Sequence, residues 1–138
     1  MKMKKYELES FINYIHPLKL DRPDTRMKAR FEKILINKYN DFVDEMNEIN
    51  NVYAVKDNDG KPIIENNKMT FENNEERLKE IRELSTEDVY IEQNEENKKM
   101  LLSIKESVLY RGPSEFAGDE ALIYDSLAEI VEQITYKE

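Results

Sequence analysis

The chain has 138 residues, enough for one domain with one core, and 37% of them are charged against 39% hydrophobic, so the core is lean and the surface heavily charged. Cysteine is absent, which excludes disulfides, thiolate metal sites and a cysteine nucleophile, and three glycines are too few for a β-barrel or a phosphate-cradling loop. The net charge of −9 is unevenly spread: residues 1–38 carry ten Lys or Arg against five Asp or Glu, and the rest of the chain carries eleven against 25.

Leu8, Phe11, Ile12 and Ile15 fall at i, i+3, i+4 and i+7, the spacing of a helix with one buried face. Pro17 ends that helix by restricting the backbone of His16. The polar stretch DRPDT then offers Asp24 or Thr25 as the N-cap of a long helix reaching about Asn50. Met27, Phe31, Ile34, Leu35, Phe42, Val43, Met46 and Ile49 mark its apolar side, and at 1.5 Å per residue it spans about 40 Å. From Val52 the pattern changes. Val52, Tyr53 and Val55 favour strands and Asp59-Gly60 favours a tight turn, which predicts a β-hairpin over residues 52–71.

A short helix is predicted over 75–84 from Leu78, Ile81 and Leu84, and DVYIEQ reads as a brief strand. Residues 95–110 form the next helix, with acidic residues at the positive end of its dipole. After the break RGPSEFAG, Asp119 is expected to cap a last helix on which Ile123, Leu127, Ile130 and Ile134 recur. The expected fold class is mainly α: a single helical domain over residues 1–138, a helical bundle around one long helix, with a small antiparallel β-hairpin near residues 52–71. No apolar run follows the basic amino end and no ~18-residue apolar stretch occurs, so a soluble intracellular protein is expected.

Chemistry finds little foothold. His16 is the only histidine, which excludes a multi-histidine metal site, and no serine lies in a Gly-x-Ser-x-Gly turn. Asp57 and Asp59 before Gly60 suggest a calcium loop. With Gly60 at the sixth position, however, the first falls on Val55 and the twelfth on Asn66, neither of which supplies a carboxylate. Pro23-Asp24 and Glu96-Asn97-Lys98 imitate a nuclease pattern, but one precedes a helix and the other opens a distant one. The expectation is no catalytic residue, no metal, no cofactor and no enzyme activity.

The basic front places Arg26, Arg30 and Lys33 on one helical face, a spacing that could follow phosphates, yet the acidic remainder would repel a nucleic acid. Several segments carry a resemblance: PLKL, the spaced Arg26 and Arg30 before Phe31, ENKKMLLSIKESVL, and EFAGDEALIYDSLAEI with Phe116, Gly118, Glu120, Ala121, Tyr124, Asp125 and Glu129. Together they resemble a family of short uncharacterised proteins encoded by tailed phages and prophages of Gram-positive bacteria. Residues 57–71 lie outside it. The resemblance implies a genomic setting and no catalytic residue, with the protein in the bacterial host cytoplasm or associated with the virion. The function expected is that of a non-enzymatic phage accessory protein acting by protein–protein binding, in particle assembly or on a host machine. The alternative is an acidic nucleic-acid mimic that inhibits a host nuclease, polymerase or defence system. The partner is expected to be a phage or host protein or a second copy, with nucleic acid and membrane unlikely. The expected contact residues are Arg26, Arg30, Phe31, Phe116, Tyr124 and Asp125. Apolar stripe left over on the long helix, with Phe31, Tyr39 or Phe42 as anchors, would supply the affinity.

Overall fold

The computed structural model describes residues 1–137, and it is mainly helical, built on one long helix with small antiparallel β elements attached. Strand β1 (Lys2–Lys4) and a single 3-10 turn (Lys5–Glu7) lead into α1 (Leu8–Ile15), which buries Leu8, Phe11 and Ile15. Helix α2 (Arg22–Tyr53) has 32 residues. Its N-cap is Asp21, whose carboxylate accepts the Asp24 N–H at 3.0 Å, so the helix begins before Asp24 and Thr25. Pro23 sits in the first turn, where its missing N–H costs nothing. At the other end α2 runs through Val52 and Tyr53 despite their strand preference, because extending a formed helix adds a hydrogen bond without a new nucleation cost.

The chain then leaves the helices for a β extension. Asp59-Gly60 lies in a tight turn, as its sequence suggests: the Gly60 N–H donates to the Asp57 carbonyl, and the Asp57 carboxylate accepts the N–H groups of Asp59 and Lys61. Gly60 has φ +77°, which glycine adopts without steric cost. Single bridges flank this turn, Lys56 to Pro62 and Ala54 to Phe71. The paired strands come later, β2 (Ile64–Glu65) against β3 (Lys68–Met69), joined through Asn66 and Asn67 at φ 52° and 62°, the left-handed pair of a type I′ turn.

Helix α3 (Asn74–Ser85) and strand β4 (Asp88–Tyr90) follow. Strand β4 pairs antiparallel with β1, Met3 opposite Val89, an association of distant segments. Helix α4 (Lys98–Tyr110) starts later than its acidic prelude suggests. Asn94 accepts the Asn97 N–H at 2.8 Å, which holds Glu95 and Glu96 in a turn outside the helix. Helix α5 is Asp119–Glu132.

The core lies where these helices meet. Helix α2 packs against α1, α3 and α4, and α4 packs against α5. Helix α4 is the most deeply placed, burying Met100, Leu101, Ile104 and Val108, while α2 fully buries only Phe31, Leu35 and Phe42 over its length. The Phe11 and Phe31 rings meet at 5.3 Å. Beyond α5, Gln133 binds the backbone of β1 on both sides, accepting the Lys2 N–H at 2.9 Å and donating to the Lys2 carbonyl at 2.8 Å.

Candidate functional site: an apolar groove between α1 and α5

Two breaks in the helical pattern build the site. After α1, Pro17 turns the chain and Leu18 drops into the core. After α4, the segment Arg111-Gly112-Pro113 crosses in front of α1. A side chain at Gly112 would overlap the Tyr14 hydroxyl and come within 3.3 Å of Leu18 Cδ2, so this approach needs glycine. Gly118, at φ 58° and ψ −134°, then directs the chain into α5. Asp119 is the first helical residue and not the cap. No side chain caps this helix, since Gly118 occupies the cap position.

The backbones of α1 and α5 scarcely approach each other, and aromatic side chains bridge the gap. Phe116 stacks on Tyr124 with centroids 4.4 Å apart and planes 13° from parallel, and Tyr14 tilts against both at 6.3 and 5.9 Å. Outside this trio lies a groove of about 540 Å³, with Tyr14, Leu18, Phe116 and Ile123 among its apolar walls. A second depression of about 170 Å³ shares Ser10 and Ile123 with it and continues to Tyr6 and Leu122. Tyr6 and Leu122 are 58% and 70% exposed, large values for apolar side chains beside an open trench.

Among the polar residues that line the groove, Ser10, Asn13, Lys19 and Glu120 stand at its margin, and Arg111 is committed elsewhere. Arg111 donates to Asp24 at 3.0 Å, to Glu106 at 3.1 Å and to Asp21 at 3.5 Å, and the Glu106 hydrogen bond chiefly raises its pKa further. Asp21 is held below the ordinary carboxylate range, first by accepting the Asp24 N–H and then by Arg111. Asp24 also accepts the Ser103 hydroxyl at 2.6 Å, so the nuclease-like Pro23-Asp24 pair belongs to the joint between α2 and α4. The Tyr14 hydroxyl is inaccessible to solvent and has no hydrogen-bond partner, and burial pushes its pKa up, which keeps it neutral. Such a trench suits apolar and aromatic side chains. His16 is the C-cap of α1, with an exposed ring paired to Glu32. Among the described residues no group of three or more His, Cys, Asp or Glu could hold a metal ion, and no helix is long and apolar enough to cross a membrane.

Of the residues expected to touch a partner, Phe116 and Tyr124 stand together in the aromatic trio. Asp125 is exposed on α5 but lines neither depression. Arg26 and Arg30 are exposed on α2, also away from the groove. Phe31 is a correction: it is fully buried against Phe11 and presents no surface. Phe42 is likewise buried and Tyr39 is half-buried beneath Glu9, while Met27, Ile34, Val43, Met46 and Ile49 of the α2 stripe are half-buried. Exposed apolar side chains that adjoin the groove lie on α5 and before α1, at Leu122, Ile123 and Tyr6. Their signal in the sequence is the adjacent pair Leu122-Ile123, which widens the apolar face of α5 beyond what one neighbour covers. Compared with models of protein families, with curated proteins and with solved structures, the chain has no match.

Proposed function

We propose that this chain is a non-enzymatic protein-binding module and that the groove between α1 and α5 receives apolar side chains from a helical segment of another protein. The observation that carries this reading is the unfilled trench between two helices, floored by Tyr14 and Phe116 and continued by exposed Tyr6, Leu122 and Ile123. An amphipathic helix laid in such a trench would bury its apolar face and complete the layer that α1 and α5 leave open. The sequence resemblance sets the module among phage accessory proteins, acting in particle assembly or on a host machine.

A photo-crosslinking side chain placed at Leu122 should give one discrete adduct in an extract of the host, and the same group at Asn58 should give none. Phe116→Ala should then weaken the identified partner by about 2 kcal/mol or more in a binding isotherm. Equal adducts from both positions, or none from Leu122, would refute the groove. Capture that survives Leu122→Ser yet disappears at high salt would favour acidic mimicry of a nucleic acid instead.

A further inference from the structure

The outward face of α2 carries a charge pattern that the fold does not use. Arg26, Arg30, Lys33, Asn37, Asp41, Asp44 and Glu48 are all exposed, and at 3.6 residues per turn they share an arc of about 80°. The six charged members join no ion pair among the described residues. Arg30 makes a long contact of 3.9 Å to the Met27 sulfur. Within each block the charges are alike and stand three or four residues apart, a spacing that destabilises a helix on its own.

The two blocks are mirror-placed. Arg26, Arg30 and Lys33 precede Asn37 by eleven, seven and four residues, and Glu48, Asp44 and Asp41 follow it by the same intervals. A twofold axis through Asn37, perpendicular to α2, therefore sets Arg26 against Glu48, Arg30 against Asp44 and Lys33 against Asp41, each pair twice. A parallel partner would set like against like. On the axis Asn37 meets its own copy, and a carboxamide both donates and accepts hydrogen bonds.

We propose that a second copy of this chain docks antiparallel along this face of α2, about a twofold axis at Asn37, through six cross-helix ion pairs. The interface is isologous, as closed dimers require. The face shares no residue with the groove between α1 and α5. Because the contacts are exposed ion pairs, the association is weak and sensitive to salt.

Sedimentation of the wild-type chain over a concentration series should show a dimer at low ionic strength, with Kd rising at least about tenfold toward 1 M salt, where the screening length is about 3 Å. The double variant Arg26→Glu, Arg30→Glu should be monomeric, and so should Asp44→Arg, Glu48→Arg. An equimolar mixture of the two should dimerise again, since each then meets opposite charge throughout. The chain contains no cysteine, so Asn37→Cys gives a single thiol, which a short bis-maleimide should join into dimers, while Thr86→Cys should give none. All these positions are exposed, and circular dichroism checks that the helices persist. A wild type that stays monomeric at low salt, charge variants that dimerise as the wild type does, a mixture that stays monomeric, or a failure of the Asn37→Cys cross-link would each overturn the proposal.

Discussion

The helical body and the extension at residues 54–73 are held by different physics. The body is organised by burial: Phe11, Phe31, Leu101, Ile104 and Val131 are essentially out of contact with water, and four helices and the β1–β4 pair contribute to one continuous core. In the extension only Ala54 is fully buried. Its order comes instead from turns that demand particular residues, with Gly60, Asn66, Asn67 and Asn73 all at positive φ. Its attachment is equally local. The Arg77 guanidinium lies 3.9 Å over the Phe71 ring and donates to Asn50 at 2.8 Å, tying the end of the extension to α2 and α3. A body stabilised by area should therefore unfold as a unit, and a segment stabilised by turns should open without it.

The sharpest way to break that comparison is to cut into the body. Leu101→Ala removes a fully buried side chain from the middle of α4 and should cost about 2–5 kcal/mol, read as a lower urea midpoint for every helix at once. Gly60→Ala forces a side chain into a left-handed turn and should cost about 1 kcal/mol or less. Its effect should appear as faster amide exchange confined to the extension, with Tm unchanged. If Gly60→Ala lowered Tm as much as Leu101→Ala, the two regions would be one cooperative unit.

The smallest expected effect concerns pH. Asp88 is depressed by accepting from Lys4, and Asp21 by accepting the Asp24 N–H, so folding favours their ionised forms. Their contribution is complete above the unfolded carboxylate value of about 3.9 and is lost as pH falls through the lower folded values. Asp21 is exposed and Asp88 only half-buried, which keeps the contribution modest. The Tm gap between wild type and Asp88→Asn should therefore close as pH falls below about 4. A gap that persists unchanged to pH 2 would show that the Lys4–Asp88 pair contributes nothing through its charge.

Helix identity was legible wherever a single face is buried, as in α1, whose stripe of Leu8, Phe11 and Ile15 reports its packing directly. Boundaries were less so. The sequence offers Asp24 or Thr25 as the cap of α2, whereas Asp21 takes that place, with Pro23 in the first turn. The β1–β4 pairing was not legible at all, because Lys2–Lys4 is too short and too charged to carry a period. The groove illustrates a further limit. Phe116 and Tyr124 could be picked out as a recognition pair, but their third member, Tyr14, lies on another helix. The same blindness offered Phe31 and Phe42 of α2 as anchors for a partner, although both are buried within the fold. Periodicity counts the apolar residues of an element and does not count the neighbours available to cover them, which for α2 are three helices.

Gln133 grips the backbone of Lys2, and the core enclosed by that closure contains both Met3 and Ile134, each almost wholly buried. During synthesis the core therefore cannot close until residue 134 has left the ribosome. Until then the apolar faces of α1, α2 and α4 lack their last cover and stay exposed to other nascent chains and to chaperones. A chain arrested within α5 would therefore carry an open core.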